Sequence, residues 1–390
     1  MSDWSAVYTR GADIISCVFD SFGDYGGGVV SAEFPVAIHV DSPSSECAIR
    51  DNEIYGSFIW LQEPYQTQVT GNRIWYEDNG VTTRPERPLI WIDGRASGVR
   101  SSGATITNNL LFFSHDSAEA NGPTAEAVRI DATLSGGDAG YKTITINSNT
   151  IYHSCISLAS EVDIEALEVS YNFFKSSAGI ILDPRVPFAA NTTSAIGQLT
   201  VNGNIWTDSW SSTILSDPGP LRRDWGWGGV KLEDDYDLGN VNISGNFINI
   251  GTKAPLEGLG ALRMDKIDPN GSYTFQANIS YNMMLAGTNE EYVLLALVDG
   301  QSFEYVTDRT LNIQGNFCQH VKAPNIDAVG SALIKANMFS AAENSTWSDS
   351  NDRITTGTAG PMYTEVSDNY LVGGAAAFGF YGGAERAGSY

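Results

Sequence analysis

Residues 146–153 read INSNTIYH, and residues 169–176, VSYNFFKS, repeat their outline. In both, an apolar residue is followed three positions later by Asn, with further apolar residues directly after it. The outline recurs at Asn52 (AIRDNEIYG), Asn72 (VTGNRIWY), Asn109 (ITNNLLFF), Asn204 (VNGNIWTD) and Asn246 (ISGNFINI). It returns at Asn282 (ISYNMMLA), Asn316 (IQGNFCQH), Asn337 (IKANMFSA) and Asn369 (VSDNYLVGG). With Asn149 and Asn172 that makes eleven copies along almost the whole chain. The intervals between these asparagines run from 20 to 42 residues. Helical and leucine-rich repeats keep a tighter period, whereas a coil with a fixed core and loops of variable length produces such a spread.

Each copy reads as a strand, a tight corner and a second strand, with the apolar residues on both sides of the Asn facing inward. Asn suits the corner because it tolerates the left-handed backbone better than other residues that carry a Cβ. Coils stacked at the strand spacing of ~4.8 Å would let the Asn amides bond to one another along the stack. A second register lies between the corners. LIWID ends at Asp93, AVRID at Asp131, GIILD at Asp183, GVKLE at Glu233, ALRMD at Asp265 and LALVD at Asp299, while TILSD ends at Asp217. Residues two apart on a strand share a face, which puts Trp91, Arg129, Lys231 and Arg263 beside the acids that follow them. Parallel stacking of these strands makes one outer face a column of acids and bases.

This organisation resembles the right-handed parallel β-helix of the pectin-lyase-like superfamily: pectate lyases, polygalacturonases and, most of all, the β-helical body of phage tailspikes and polysaccharide depolymerases. The resemblance covers roughly residues 40–375. The expected fold is therefore all-β, a solenoid of about eleven coils with an Asn ladder over residues 41–375. Residues 1–40 read as a cap or first irregular coil, and the Gly- and Ala-rich residues 376–390 as a terminal cap or contact segment. LIWIDGR (89–95) looks like the strand that in pectate lyases reads roughly WIDH, with Gly94 in place of the histidine.

Composition narrows the function. Forty Gly indicate many turns, and a hydrophobic share of 42% supports a genuine core. A net charge of −24 argues against recognition of nucleic acid through its phosphates. No apolar run approaches the ~20 residues of a membrane span, and the N-terminus lacks the pattern of a signal peptide. Cys17, Cys47, Cys155 and Cys318 form no CxxC pair, so neither a zinc nor a redox motif is expected. The four histidines do not cluster, and no cofactor or metal site is read from the residues.

A solenoid offers a long shallow groove suited to an extended polymer, with loops forming the walls. Glycoside hydrolysis needs two carboxyl groups across the scissile bond. Asp183, Asp217, Glu233 and Asp265, on consecutive coils, are the candidate catalytic acids. Arg222, Arg223, Trp225 and Trp227, within DPGPLRRDWGWGGVKLEDDYD (217–237), are candidate substrate contacts, with Lys231 and Arg263 on the groove floor. The reading is a polysaccharide-binding and polysaccharide-cleaving protein. One alternative is a uronate lyase, for which calcium is the implied cofactor; the other is a non-catalytic glycan-binding or structural adhesin. The tailspike resemblance implies a homotrimer, placed on a virion surface or outside the cell, with no nucleic acid and no membrane insertion.

Overall fold

A computed structural model describes residues 11–20, 36–40, 46–76, 88–95, 101–113, 126–134, 140–158, 162–175, 177, 179–182, 194–207, 230–249, 262–267, 274–285, 295–297, 309–319, 325–326, 331–340, 354–356, 363–372 and 378–380. Every regular element among them is a strand, and every pairing between strands is parallel. The protein is all-β, with strands stacked in long sheets, consistent with a parallel β-helix.

Three columns of strands recur. The strand before each Asn corner joins a pre-corner column, for example Gly140–Asn147 on Asp163–Ser170 on Ser194–Asn202. The short strand after the corner joins a post-corner column of twelve strands, for example Thr150–Tyr152 on Phe173–Lys175 on Ile205–Thr207. The acid-ended strands make a third column, for example Phe58–Gln62 on Ile90–Arg95 on Glu126–Leu134. The 15-residue strand Val230–Ser244 belongs to both the third and the pre-corner columns, which makes those two one continuous 23-stranded sheet.

Sequence alternation accounts for the core. Three residues before the corner Asn stand Ile49, Val69, Ile106, Ile146, Val169, Val201, Ile243, Ile279, Ile313 and Ile334, all fully buried. β-branched side chains pack well on a pleated, buried surface. Two residues after the Asn comes a second buried file, which includes Ile54, Phe174, Trp206 and Phe339. Trp206 stacks on Phe174 with ring centroids 4.7 Å apart. The third column contributes Ile59, Ile90, Ile92, Val128 and Ile130 from the opposite side.

The corners differ from the expectation in one respect. The left-handed residue is the one before the Asn: Asp51, Asn108, Ser148, Tyr171, Tyr281, Ala336 and Asp368, with Gly71, Gly203, Gly245 and Gly315 in the remaining copies. The Asn itself supplies hydrogen bonds. Asn172 shows the pattern: its backbone N–H and its Nδ2 both donate to Asn204 Oδ1, at 2.9 and 3.0 Å, and Nδ2 also donates to Ile146 O at 2.7 Å. Its own Oδ1 accepts from the N–H and Nδ2 of Asn149 at 2.9 and 3.0 Å. Links of this kind run from Asn52 to Asn369. The corner asparagines from Asn52 to Asn337 are at most 2% exposed.

Asp13–Ile15 and Val18–Asp20 form a further corner without Asn. Cys17 stands there, and its N–H donates to Asn52 Oδ1 at 2.9 Å. At the other end, Phe378–Phe380 pairs in parallel with Ile354–Thr356.

Replacing Asn204 by Ala removes the acceptor used by the Asn172 N–H and Nδ2, and the Nδ2 donor used by Val169 O and Asn246 Oδ1, while the main-chain N–H of residue 204 still reaches Asn246 Oδ1. Each orphaned buried group costs ~1–3 kcal/mol, so Asn204→Ala should lose at least about 3 kcal/mol in urea unfolding. A loss below about 1 kcal/mol would show that these amides are dispensable.

Candidate functional site

The proposed catalytic and binding residues divide into two groups. Asp183, Asp217, Arg222, Arg223, Trp225 and Trp227 lie outside the described residues. Lys231 and Glu233 stand on Val230–Ser244, and Arg263 and Asp265 on Leu262–Ile267, two strands of the third column that pair with each other. Lys231 is in register with Arg263, and with Ile181 on the other side. The register then slips: Leu232 faces Met264, but the next pair is Asp235 with Lys266. Glu233 and Asp234 together therefore face Asp265 across a β-bulge. Bulges re-aim side chains and are common beside functional sites. Neighbouring strands are ~4.8 Å apart, so this segment places four acidic residues (Glu233, Asp234, Asp235, Asp265) and three basic ones (Lys231, Arg263, Lys266) on adjacent backbones.

Further along the N-terminal half, the acid column turns out to be buried rather than groove-lining. Asp93 and Asp131 face each other in register and are 2% and 4% exposed. The two-residue spacing of AVRID does what strand alternation requires: Arg129 Nε donates to Asp131 Oδ2 at 2.7 Å. Arg129 Nη1 also lies 3.7 Å from Glu126 Oε2, and Ser157 Oγ donates to Glu126 Oε1 at 2.7 Å. Tyr141 closes the cluster by donating its hydroxyl to Asp131 O at 2.6 Å. On the same face, His39, Trp60 and Trp91 stack at centroid separations of 4.3 and 5.1 Å.

Burial pushes the Glu126 carboxyl up to about 7, against the opposing pull of Arg129 and the Ser157 hydrogen bond, with Asp131 adding to the rise. A carboxylic acid titrating near neutrality is the kind a general acid needs. Glu126 is only 2% exposed, however, so a polymer has no access to it. Its surroundings are those of a structural ion-pair network. The same kind of burial raises the Cys318 thiol. Cys47 and Cys155 are also buried, whereas Cys17 is exposed. His153, with a positive φ of 54°, has its Nδ1 2.8 Å from Phe113 O, which is a turn role.

An open groove lies elsewhere, on the outer face of the pre-corner column. Its cavity volume is about 580 Å³. The floor is set by Asn240, Asn242, Gln276, Asn278 and Asn312, with Tyr363 at one end. Among the described residues that line it, none is ionisable apart from this tyrosine. A second set of amide contacts runs along the floor: Asn278 Nδ2 donates to Asn242 Oδ1 at 3.0 Å, and Asn312 Nδ2 to Asn278 Oδ1 at 3.1 Å. These residues escaped the sequence reading, although a signal was present. VNIS, ANIS and LNIQ place an Asn four positions before the corner Asn in three consecutive copies.

The groove and the bulge are separate places. Glu233 and Asn240 share one strand, and at ~3.3 Å per residue the chain between them spans about 23 Å. Among the described residues, no group of three or more His, Cys, Asp or Glu is arranged to hold a metal ion. No family model, no curated protein and no solved structure matches the chain.

Glu126 yields a pH prediction. Its carboxyl titrates near 4.5 when unfolded and near 7 when folded. Between these values the unfolded chain releases a proton that the folded chain keeps, so this group's contribution to stability falls as pH rises, then levels off above 7. In Glu126→Gln, which cannot ionise beside Arg129 and Asp131, that decline should disappear. The stability difference, variant minus wild type, should rise by up to about 3 kcal/mol across this window. Denaturant titrations at stepped pH measure it, and a difference independent of pH would contradict the assignment.

Proposed function

We propose that this protein binds a polysaccharide along the outer face of its pre-corner column, as a right-handed parallel β-helix of the pectin-lyase-like kind, with about eleven coils and an Asn ladder. The observation that carries the reading is the character of the groove. In a chain of net charge −24, its described lining is amide, hydroxyl and aliphatic. Amides both donate and accept, which matches the hydroxyls of sugars. Nucleic acid fits poorly, because no cationic side chain stands among the described residues of this lining to meet phosphates.

Cleavage of the bound polymer is the second reading, and the bulge favours it. Glu233 and Asp265 stand on paired strands, whose ~4.8 Å backbone spacing is compatible with a pair of catalytic acids, and Asp183 and Asp217 are the further acids of that proposal. Arg222, Arg223, Trp225, Trp227, Lys231 and Arg263 are its proposed substrate contacts. Lys231 in register with Arg263 equally suits a lyase, which needs cations near a uronate carboxylate. The homotrimer, and a place on a virion surface or outside the cell, extend the tailspike resemblance.

Affinity gels cast with neutral and uronate polysaccharides test the binding. Retention of the wild type by a neutral polymer is expected, and Asn278→Ala with Asn312→Ala should weaken it about thirtyfold, since two lost hydrogen bonds at ~1 kcal/mol each total ~2 kcal/mol. No retention by any polymer would remove the proposal. New reducing ends that disappear in Glu233→Gln and Asp265→Asn would establish hydrolysis. Ultraviolet absorbance from an unsaturated uronate would establish the lyase instead, and binding without either product leaves the adhesin.

A further inference from the structure

Two of the corners hold a residue that backbone geometry disfavours. Tyr171 and Tyr281 occupy the left-handed region, with φ of 58° and 56°. A bulky side chain there is an outlier, and the equivalent residue in the other described corners is Ser, Asp, Asn, Ala or Gly. Burial does not compensate, because the two tyrosines are 64% and 65% exposed. Strain of this kind is a pointer to function.

Each ring rests on the corner of the next coil. A Cβ on Gly203 would stand 2.7 Å from Tyr171 Cδ1, and one on Gly315 would stand 2.6 Å from Tyr281 Cε1. Both glycines also have positive φ. The pair of large ring and following glycine thus occurs twice in the same arrangement. Between the two tyrosines lie the corners of Gly203 and Gly245, joined successively by the bonds Tyr171 N–H to Asn202 O, Gly203 N–H to Ser244 O and Gly245 N–H to Ser280 O. Three coil steps at ~4.8 Å set the tyrosines about 14 Å apart along the stack.

Of the two tyrosines, Tyr281 borders the groove, and Tyr171 lies beyond its end along the stack. Tyr281 directly follows the strand Gln276–Ser280, whose Gln276 and Asn278 line the floor. On its other side, Ile205 and Met283 begin post-corner strands and are 42% and 41% exposed. The surface is therefore amphipathic across its width, with amides and hydroxyls on one side, aromatic rings at the corner and apolar side chains beyond. The strands on both sides of this corner are already paired on both neighbours, so a peptide gains no backbone edge to extend. A sugar chain carries both kinds of surface, hydroxyl edges and apolar ring faces.

We propose that Tyr171 and Tyr281 form an aromatic rail that stacks on the sugar rings of a neutral polysaccharide aligned along the coil stack, as an extension of the groove's binding site. The proposal rests on the polysaccharide reading and adds to it the polymer's direction and the two stacking positions. The probes are affinity gels cast with dextran, galactomannan, xyloglucan or a purified bacterial O-chain polysaccharide, taking those that retain the wild type. The double variant Tyr171→Asn, Tyr281→Asn relieves the left-handed strain, so it should melt at or above the wild-type temperature and lose at least about tenfold in affinity. Tyr171→Phe with Tyr281→Phe keeps the ring and should keep the binding. Unchanged affinity in the Asn double variant, with loss in Asn278→Ala, overturns the rail and leaves the groove. A lower melting temperature in the Asn double variant assigns the rings to packing and overturns the rail as well. A wild type retained by none of the four polymers overturns the rail together with the binding reading beneath it.

Discussion

The side-chain amide of the corner asparagine is the interaction on which the rest of this structure depends. Its Oδ1 accepts from the main-chain N–H and the Nδ2 of the preceding corner Asn, while its Nδ2 donates to the next Oδ1 and to a carbonyl in the preceding coil. All of its polar capacity is used, and it is used away from water. A buried polar group costs free energy unless it is bonded, so a shift of one coil against the next by a single residue would orphan several groups at once. Side-chain period two would also turn each strand's apolar set outward. The amides and the Ile/Val file therefore enforce the same register, and that agreement between levels is what lets a sequence specify one structure.

A fixed register has consequences outside the core. Any residue type repeated at a constant offset from the Asn becomes a line on the surface. Four positions before it, Asn242, Asn278 and Asn312 become the groove floor. One position before it, Tyr171 and Tyr281 become a pair on one corner. In the third column, Trp60 and Trp91 become a ring stack with Arg129, ion-paired to Asp131, in register beside them. Loops of different length change nothing in this alignment, which explains how intervals of 20 to 42 residues coexist with the same Asn–Asn hydrogen bonds from corner to corner.

The architecture was legible because the Asn outline is short, local and repeated, and because the residues on both sides of it alternate. The ion pair of Arg129 with Asp131 was legible for the same reason, since spacing on one strand decides it. Four other features were not. The left-handed position fell to the residue before the Asn, because the amide is needed inside the coil. Glu126 joined the Arg129 cluster from the start of its strand, three residues away and against the two-residue alternation. The burial of Asp93 and Asp131 depends on what covers their face, which spacing along one strand does not state. The bulge at Glu233 and Asp234 was likewise invisible, because it exists only in relation to the partner strand.

Hydrogen exchange at the corners tests the central claim most directly. If the Asn amides carry the fold, the backbone N–H groups of Asn72, Asn109, Asn149, Asn172, Asn204, Asn246, Asn282 and Asn316, each bonded to the next Asn Oδ1, should exchange among the slowest in the molecule, through global opening alone. Exchange at these sites near the rate of an unprotected amide would contradict the account, because the corners would then open without the coils coming apart.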